Sequence, residues 1–227
     1  MRVKIYQINS ERDPDRTHFL GSDERNNLCG NLNINPLAYD EVFNADIDET
    51  DPEEIFRRFN TDYHPLYRGY SLSVSDVVVT EKGAYFCDSI GFKPIEFDES
   101  QTQKPANLLK VVYIEPNRPA FEAEIVDEYK FLSKAVGGLI ETIYNDDGTI
   151  MVGNDEAKLI GMKGNRHLDN GTSIIAGPFF VIGDAGENFR SLTDEETEKY
   201  LSKYAEPEEI SDEETQADVG FTIIGMN

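Results

Sequence analysis

Tryptophan is absent from this chain, which decides nothing, but three other scarcities narrow what it can be. Only two cysteines occur, Cys29 and Cys87, too few for a disulfide framework and not spaced as a CxxC pair, so the chain reads as a reduced, cytoplasmic protein. No apolar run approaches the roughly 18 residues that a membrane-spanning helix needs, and the opening MRVKIYQINS has no apolar leader core, so neither membrane nor export is expected. Bases are scarce too: 21 Lys and Arg against 44 Asp and Glu leave a net charge of −23. Affinity for a nucleic-acid backbone comes from Lys and Arg that neutralise phosphates and release counterions, so direct nucleic-acid binding is disfavoured.

Chemistry-bearing motifs are equally sparse. The histidines His18, His64 and His167 stand singly, in no HxxxH, HExxH or Cys/His pattern, so no zinc site is expected. Asp46-x-Asp48-x-x-Asp51 lacks the spacing and turn glycine of a calcium loop, and Asp51 is explained by helix capping. Alternation in an extended segment puts Ser71, Ser73 and Ser75 on one face, an open row of hydroxyls for a ligand or partner backbone or, the preferred reading, a set of local caps for backbone N–H groups. There is no Gly-x-Ser-x-Gly elbow, and no histidine stands near these serines in sequence to suggest a triad, although sequence distance does not exclude one. Gly161-Met162-Lys163-Gly164-Asn165-Arg166 gathers two bases with glycines in an acidic half, a weak ligand-binding signal at Lys163, Asn165 and Arg166, but it is not a Walker loop. No catalytic residue, metal or cofactor is expected.

What the chain does have is concentrated acid. Residues 40–54 contain eight acids and no base, and 184–218 contain thirteen acids and three bases. Such surfaces repel DNA and attract basic partners. The acids read as a partner-binding surface are Asp40, Glu41, Asp46, Asp48, Glu49 and Glu53 in the first block, and Asp194, Glu195 and Glu198 in the second.

The patterning predicts an α+β chain of two small domains, each an antiparallel or mixed sheet with one or two packed helices. The first domain spans 1–98: a strand at 3–8, a long polar loop over 11–35 carrying one helical turn, a strand at 39–47 and a helix after Asp51-Pro52 with Ile55, Phe56 and Phe59 inward. A hairpin follows, with Val77, Val78 and Val79 in one arm, a turn at Glu81-Lys82-Gly83 and Ala84 to Cys87 in the other. Residues 99–107 read as a linker. The second domain, 108–205, starts with the strand LLKVVYI. Ile125, Tyr129, Leu132 and Val136 then mark a helix face that stops at Gly137-Gly138. A hairpin around Asn145 to Gly148, a central strand over 173–183 interrupted or bulged at Gly177-Pro178 and a capping box at Thr193 to Glu196 complete it. In the acidic C-terminal segment 206–227, residues 206–218 are expected to be mobile and the final GFTIIG to be either an edge strand or an exposed peptide.

GYSLSVSDVVV followed by AYFCDSIGFKPIEF, with YQIN upstream and the helix after Asp51, resembles the YodL-like domain over residues 1 to 98. VVYIEPNRPAFEAEI, VGGLIETIY, GNRHLDNGTSIIAGPFFVIGD and SLTDEE resemble a domain of unknown function common in phages and conjugative elements, over 108 to 205. The resemblance implies a bacterial mobile-element protein built from modules of polyvalent proteins that counter host defences, and it supplies no catalytic residues. The expectation is a non-enzymatic acidic protein that presents a DNA-like surface to a host protein with a basic surface, an anti-defence role. The alternative is a small-ligand or nucleotide-binding module that sequesters or senses a signal. The sequence leaves the oligomeric state open.

Overall fold

The computed structural model describes residues 1–32, 34–168, 171 and 173–218. It divides into two compact units, Met1–Ala106 and Asn107–Asn227. Residues 219–227, which include the GFTIIG run, lie outside the described residues.

In the first unit, β1 (Arg2–Ile8), α1 (Ser22–Cys29), β2 (Tyr39–Asp46), α2 (Pro52–Thr61), β3 (Val77–Thr80), β4 (Gly83–Cys87) and β5 (Phe92–Ile95) follow in chain order. The strands make one antiparallel sheet in the order β2-β1-β3-β4-β5. β2 alternates buried and half-buried residues along its length, the period of a strand with one face on a core. That core includes Phe43, Phe59 and Tyr67, which meet edge to face, Phe59 lying 4.8 Å from both partners. Burying each such ring contributes about 1.5–3 kcal/mol. α2 starts where Asp51 accepts from the Glu53 amide with Pro52 at the first helical position, and its Ile55 and Phe59 are fully buried while Phe56 is only half-buried.

The other face of this sheet changes the expected linker. Phe97 packs on Tyr6 at 5.1 Å and Tyr39 at 5.4 Å, Glu99 accepts from Lys4 and Tyr6, and the Gln103 backbone bridges to Tyr39 and Glu41. Residues 99–106 therefore belong to the first unit, held by aromatic packing and a buried tyrosine hydroxyl. A second difference is α1, which replaces a single helical turn in the polar loop. It shows no apolar face because it is anchored by polar bonds: Asp88 accepts from the Ser22 amide and hydroxyl, and Glu24 accepts from the Gly21 amide.

The second unit contains β6 (Leu108–Ile114), β7 (Phe121–Val126), α3 (Tyr129–Val136), β8 (Ile140–Tyr144), β9 (Thr149–Asn154), β10 (Gly164–His167), β11 (Ile174–Ala176), β12 (Phe179–Asp184), β13 (Phe189–Arg190), α4 (Asp194–Lys203) and α5 (Asp212–Ala217). The main sheet runs β7-β6-β12-β9-β8, antiparallel throughout, with β13 paired to the end of β12; β10 and β11 form a separate ribbon. Tyr200 and Tyr204 of α4 pack with Val112, Ile114, Met151, Phe179 and Val181 on one face. On the other face the Tyr113 hydroxyl donates to the Ala135 carbonyl of α3 at 2.5 Å.

Three expectations are corrected here. Ile125 ends a strand rather than opening a helix, and α3 starts only at Tyr129, before stopping at Gly137, whose φ is +75°. The run 173–183 is two strands in different sheets, because Gly177 at φ +70° turns the chain between β11 and β12. Within the acidic segment, residues 206–218 are docked, not free. α5 lies so close to β10 that a Cβ on Gly164 would come within 2.5 Å of Thr215 Oγ1 and 2.6 Å of Ile210 Cγ2. Among the described residues no helix is long and apolar enough to cross a membrane.

His167 clamps this segment. Its Nδ1 lies 2.6 Å from Glu208, its amide donates to the same carboxylate at 3.1 Å, and its Nε2 lies 3.3 Å from Glu214. The hydrogen bond to Glu208, then Glu214, raises its pKa above the ordinary 6.5. Because the folded value is the higher one, the clamp's contribution is complete below the unfolded value and disappears as the pH rises through the folded value. Amide exchange over 206–217, corrected for intrinsic rates, is therefore expected to accelerate across that rise, and His167→Gln is expected to abolish the step; a step of the same size in the variant would place its origin elsewhere.

Candidate functional site

The nine acids expected to form a partner surface do not share one fate. Asp40 pairs with Arg12 at 2.5 Å, Asp46 with Arg2 at 3.1 Å, Glu49 with Arg58 at 2.9 Å and Asp194 with Lys110 at 2.6 Å. Glu41 is 2% exposed and faces Arg68 and Lys104, each at 3.6 Å, so it belongs to no surface. Asp48 is exposed; Glu53, Glu195 and Glu198 are exposed and have no ion pair among the described residues. Four of the eight acids of the first block are thus paired with bases from elsewhere in their own unit. Such exposed pairs contribute little to stability, but they do cancel the field that a basic partner would feel.

Two of the three residues of the weak ligand signal are spoken for, whereas Lys163 is exposed with no ion pair among the described residues. Asn165 is fully buried and donates to the Ile114 and Gly177 carbonyls, and Arg166 is 2% exposed and donates to the Asn165 and Arg118 carbonyls at 2.8 Å each. Both fasten the β10–β11 ribbon to the main sheet, so neither is available to a ligand. A cavity of about 360 Å³ does open beside that ribbon, lined by Asn154, Lys158, Ile174, Ile175 and Asp218 among others, but Lys158 is already paired with Asp218 at 2.5 Å. Among the described residues no group of three or more His, Cys, Asp and Glu is placed to hold a metal ion.

The most unusual chemistry lies in the first unit, where sequence spacing gave no sign of it. Asp76, the residue before the valine run of β3, has no exposed surface. Its Oδ2 accepts from Gln7 Nε2 and the Ser73 amide, both at 2.8 Å, and its Oδ1 accepts from the Tyr70 hydroxyl at 3.3 Å. Burial pushes its pKa up to about 7 against the pull of those donors. Gln7 also holds the Tyr70 backbone, accepting from its amide and donating to its carbonyl at 3.1 Å each. The Tyr70 hydroxyl then meets His18 Nε2 at 2.7 Å, and His18 Nδ1 meets the Ser10 hydroxyl at 3.1 Å. Since the tyrosine donates to Asp76, the tautomer that satisfies both ring contacts carries its proton on Nε2 and leaves Nδ1 as acceptor. Burial, opposed by the Asp13 charge and aided by that of Arg25, lowers the His18 pKa below the ordinary 6.5 and so favours the neutral ring.

The loop bearing His18 is held under local strain. Arg16, Phe19 and Ser75, all non-glycine, have φ of 52°, 64° and 81°. Arg25 of α1, with no exposed surface, fixes the loop by donating to the Leu20 and Thr17 carbonyls at 3.1 and 3.0 Å while covering the Phe86 ring at 4.9 Å. Ser75 accepts from the Phe19 amide at 3.0 Å, so the serines of the GYSLSVSD motif serve local bonds rather than an open row. The result is an outward-facing aromatic step: Phe19, 55% exposed, stacks on His18 at 3.8 Å beside the 40% exposed Tyr70.

Removing Asp76 strands three donors in a dry site. Asp76→Ala is expected to lower unfolding free energy by about 3 kcal/mol in urea titration. The raised folded pKa gives the opposite pH slope from an ordinary paired carboxylate: this group's relative contribution is complete below about pH 4 and declines as the pH rises to about 7. The difference in stability between the parent and Asp76→Asn is accordingly expected to vary over that interval; a difference independent of pH would show that Asp76 ionises as it does in water.

No curated protein and no solved structure matches the chain. Residues 2–97 match the model of the YodL-like domain, and residues 109–205 match that of a domain of unknown function, DUF3846. The aromatic step and its buried carboxylate thus sit within the YodL-like match, the clamped ribbon within the other, and the chain carries a YodL-like domain followed by a DUF3846 domain.

Proposed function

We propose that this protein acts in the bacterial cytoplasm, on behalf of a mobile element, as an acidic inhibitor that occupies the basic, DNA-binding surface of a host defence protein. One observation carries the reading. Between residues 195 and 213, Glu195, Glu198, Glu206, Glu209, Asp212 and Glu213 are all exposed and have no ion pair among the described residues, whereas Lys199 in the same stretch is tied to Asp147. The docking of 206–217 against β10 holds these carboxylates on a folded support, which lowers the entropy lost on binding. The active face is accordingly the second acidic block, and the first block contributes less because half of its acids are paired internally. Electrostatic complementarity of this kind speeds encounter and weakens with salt.

The test is capture of a basic DNA-binding protein from bacterial lysate by the full chain, with duplex DNA and salt as competitors. Joint replacement of Glu195, Glu198, Glu209 and Glu213 by Lys is expected to weaken capture at least about tenfold, a loss of about 1.4 kcal/mol. Asp46→Asn is expected to leave it unchanged. Capture indifferent to DNA and to the four reversals would overturn the proposal.

A further inference from the structure

The series of contacts from Ser10 to Asp76 runs from an exposed hydroxyl to a carboxylate with no exposed surface, through an imidazole and a phenol. Nothing in the acidic-inhibitor reading uses it. We propose that Ser10 is an activated nucleophile toward carbonyl esters, with His18 as its general base and Tyr70 and Asp76 as positioning residues.

The geometry meets the requirements of such a site in order. Nucleophile and base lie at 3.1 Å, within reach of proton transfer, and the base is oriented from its other nitrogen by a hydroxyl at 2.7 Å. That hydroxyl is itself aimed by Asp76, which Gln7 and Ser73 hold in place. A neutral imidazole with a free Nδ1 lone pair is the form that can accept the serine proton. Ser10 Oγ attacks the carbonyl carbon while its proton passes to His18 Nδ1, and the carbonyl π pair moves onto oxygen. Collapse of the tetrahedral adduct breaks the bond to the leaving oxygen, which takes the proton from Nδ1. Water then attacks the acyl-serine, its proton passing by Nδ1 back to Ser10 Oγ, so the ester and one water become an acid and an alcohol. Throughout, the Nε2 proton stays on the Tyr70 side, where the hydroxyl and Asp76 stabilise the imidazolium. Arg16, exposed two residues before His18 with no ion pair among the described residues, is the base assigned to meet the oxyanion. The Phe19 ring, stacked on His18 and open to solvent, offers a seat for an apolar or aromatic part of the ester.

The experiment treats the full chain with a fluorophosphonate probe and with p-nitrophenyl acetate. Native protein is expected to be labelled at Ser10 alone, as mapped by peptide mass spectrometry, with heat-denatured protein unlabelled. Ser10→Ala should abolish labelling and His18→Ala should slow it about 100-fold. Ser10 is exposed, so its variant is expected to melt as the parent does. Tyr70→Phe keeps the ring and removes only the hydroxyl; it should slow labelling at least about tenfold and shift the His18 titration seen by NMR, a readout that a purely structural role would leave unmoved. Native labelling no faster than denatured, label persisting in Ser10→Ala, or an unchanged rate in Tyr70→Phe would each overturn the proposal.

Discussion

The carboxylate of Asp76, closed off from water and satisfied by a side-chain amide, a backbone amide and a phenol, is the contact on which the first unit's organisation depends. A buried charge or acid is tolerated only when its partners are supplied, and here they come from β1, from the turn before β3 and from Tyr70. Two segments distant in sequence, β1 and residues 70–76, are thereby tied at one point. The strained loop at 13–20 then attaches to that point through His18 and through the Ser75 hydroxyl, and α1 attaches to the loop through Arg25. Apolar packing builds the sheet and α2, but the polar knot decides where the outer loop lies.

The second unit solves a similar problem with cations and carbonyls. Arg166, buried, gathers carbonyls from its own ribbon and from Arg118, while Asn165 bonds across to Ile114 and Gly177. These bonds hold the β10–β11 ribbon beside the main sheet together with Ile175 and Leu168, which pack against the apolar cluster. His167, next in the chain, then faces outward and clamps the acidic segment. In both units, then, a polar side chain with almost no exposed surface fixes an irregular segment, and the adjacent exposed residues carry the chemistry.

Much of the sheet framework was legible in the sequence, because its signals are local. The valine run and the two-residue turn before Gly83 define β3 and β4; Asp51-Pro52 and the Thr193 to Glu196 capping box place α2 and α4. β7 was hidden because Ile125 fits two periods at once: it continues the alternation of Phe121 and Ala123, and it also lies four residues before Tyr129 on a helical spacing. α1 was hidden for the opposite reason, having no apolar period at all. The site was illegible on different grounds. Ser10 and His18 are eight residues apart in a polar loop, and the histidine meets its other partner 52 residues later. No spacing rule covers a contact of that range; the only local hint was an aspartate directly before a run of three valines, a charge where the pattern calls for burial.

Charge accounting by position, rather than by total, is what separates the two acidic blocks. A net of −23 says only that a basic partner is favoured somewhere. Arg2, Arg12, Arg58 and Arg68 lie in the first unit with Asp46, Asp40, Glu49 and Glu41 beside them, so that about half of that block's field is cancelled at the distance of a partner. Across 195–213 the bases Lys199 and Lys203 project from the same helix as Glu195 and Glu198, yet Lys199 is drawn to Asp147 and Lys203 lies over the Tyr200 and Tyr204 rings, two bases against the six exposed acids of the stretch. Had the excess been needed only for solubility, an even spread of unpaired acid over both units would serve as well. Concentrating it on α4, packed on the sheet through Tyr200 and Tyr204, and on the segment that His167 clamps to β10 places a dense negative field on a folded support, which is the condition under which electrostatic recognition gains specificity as well as rate.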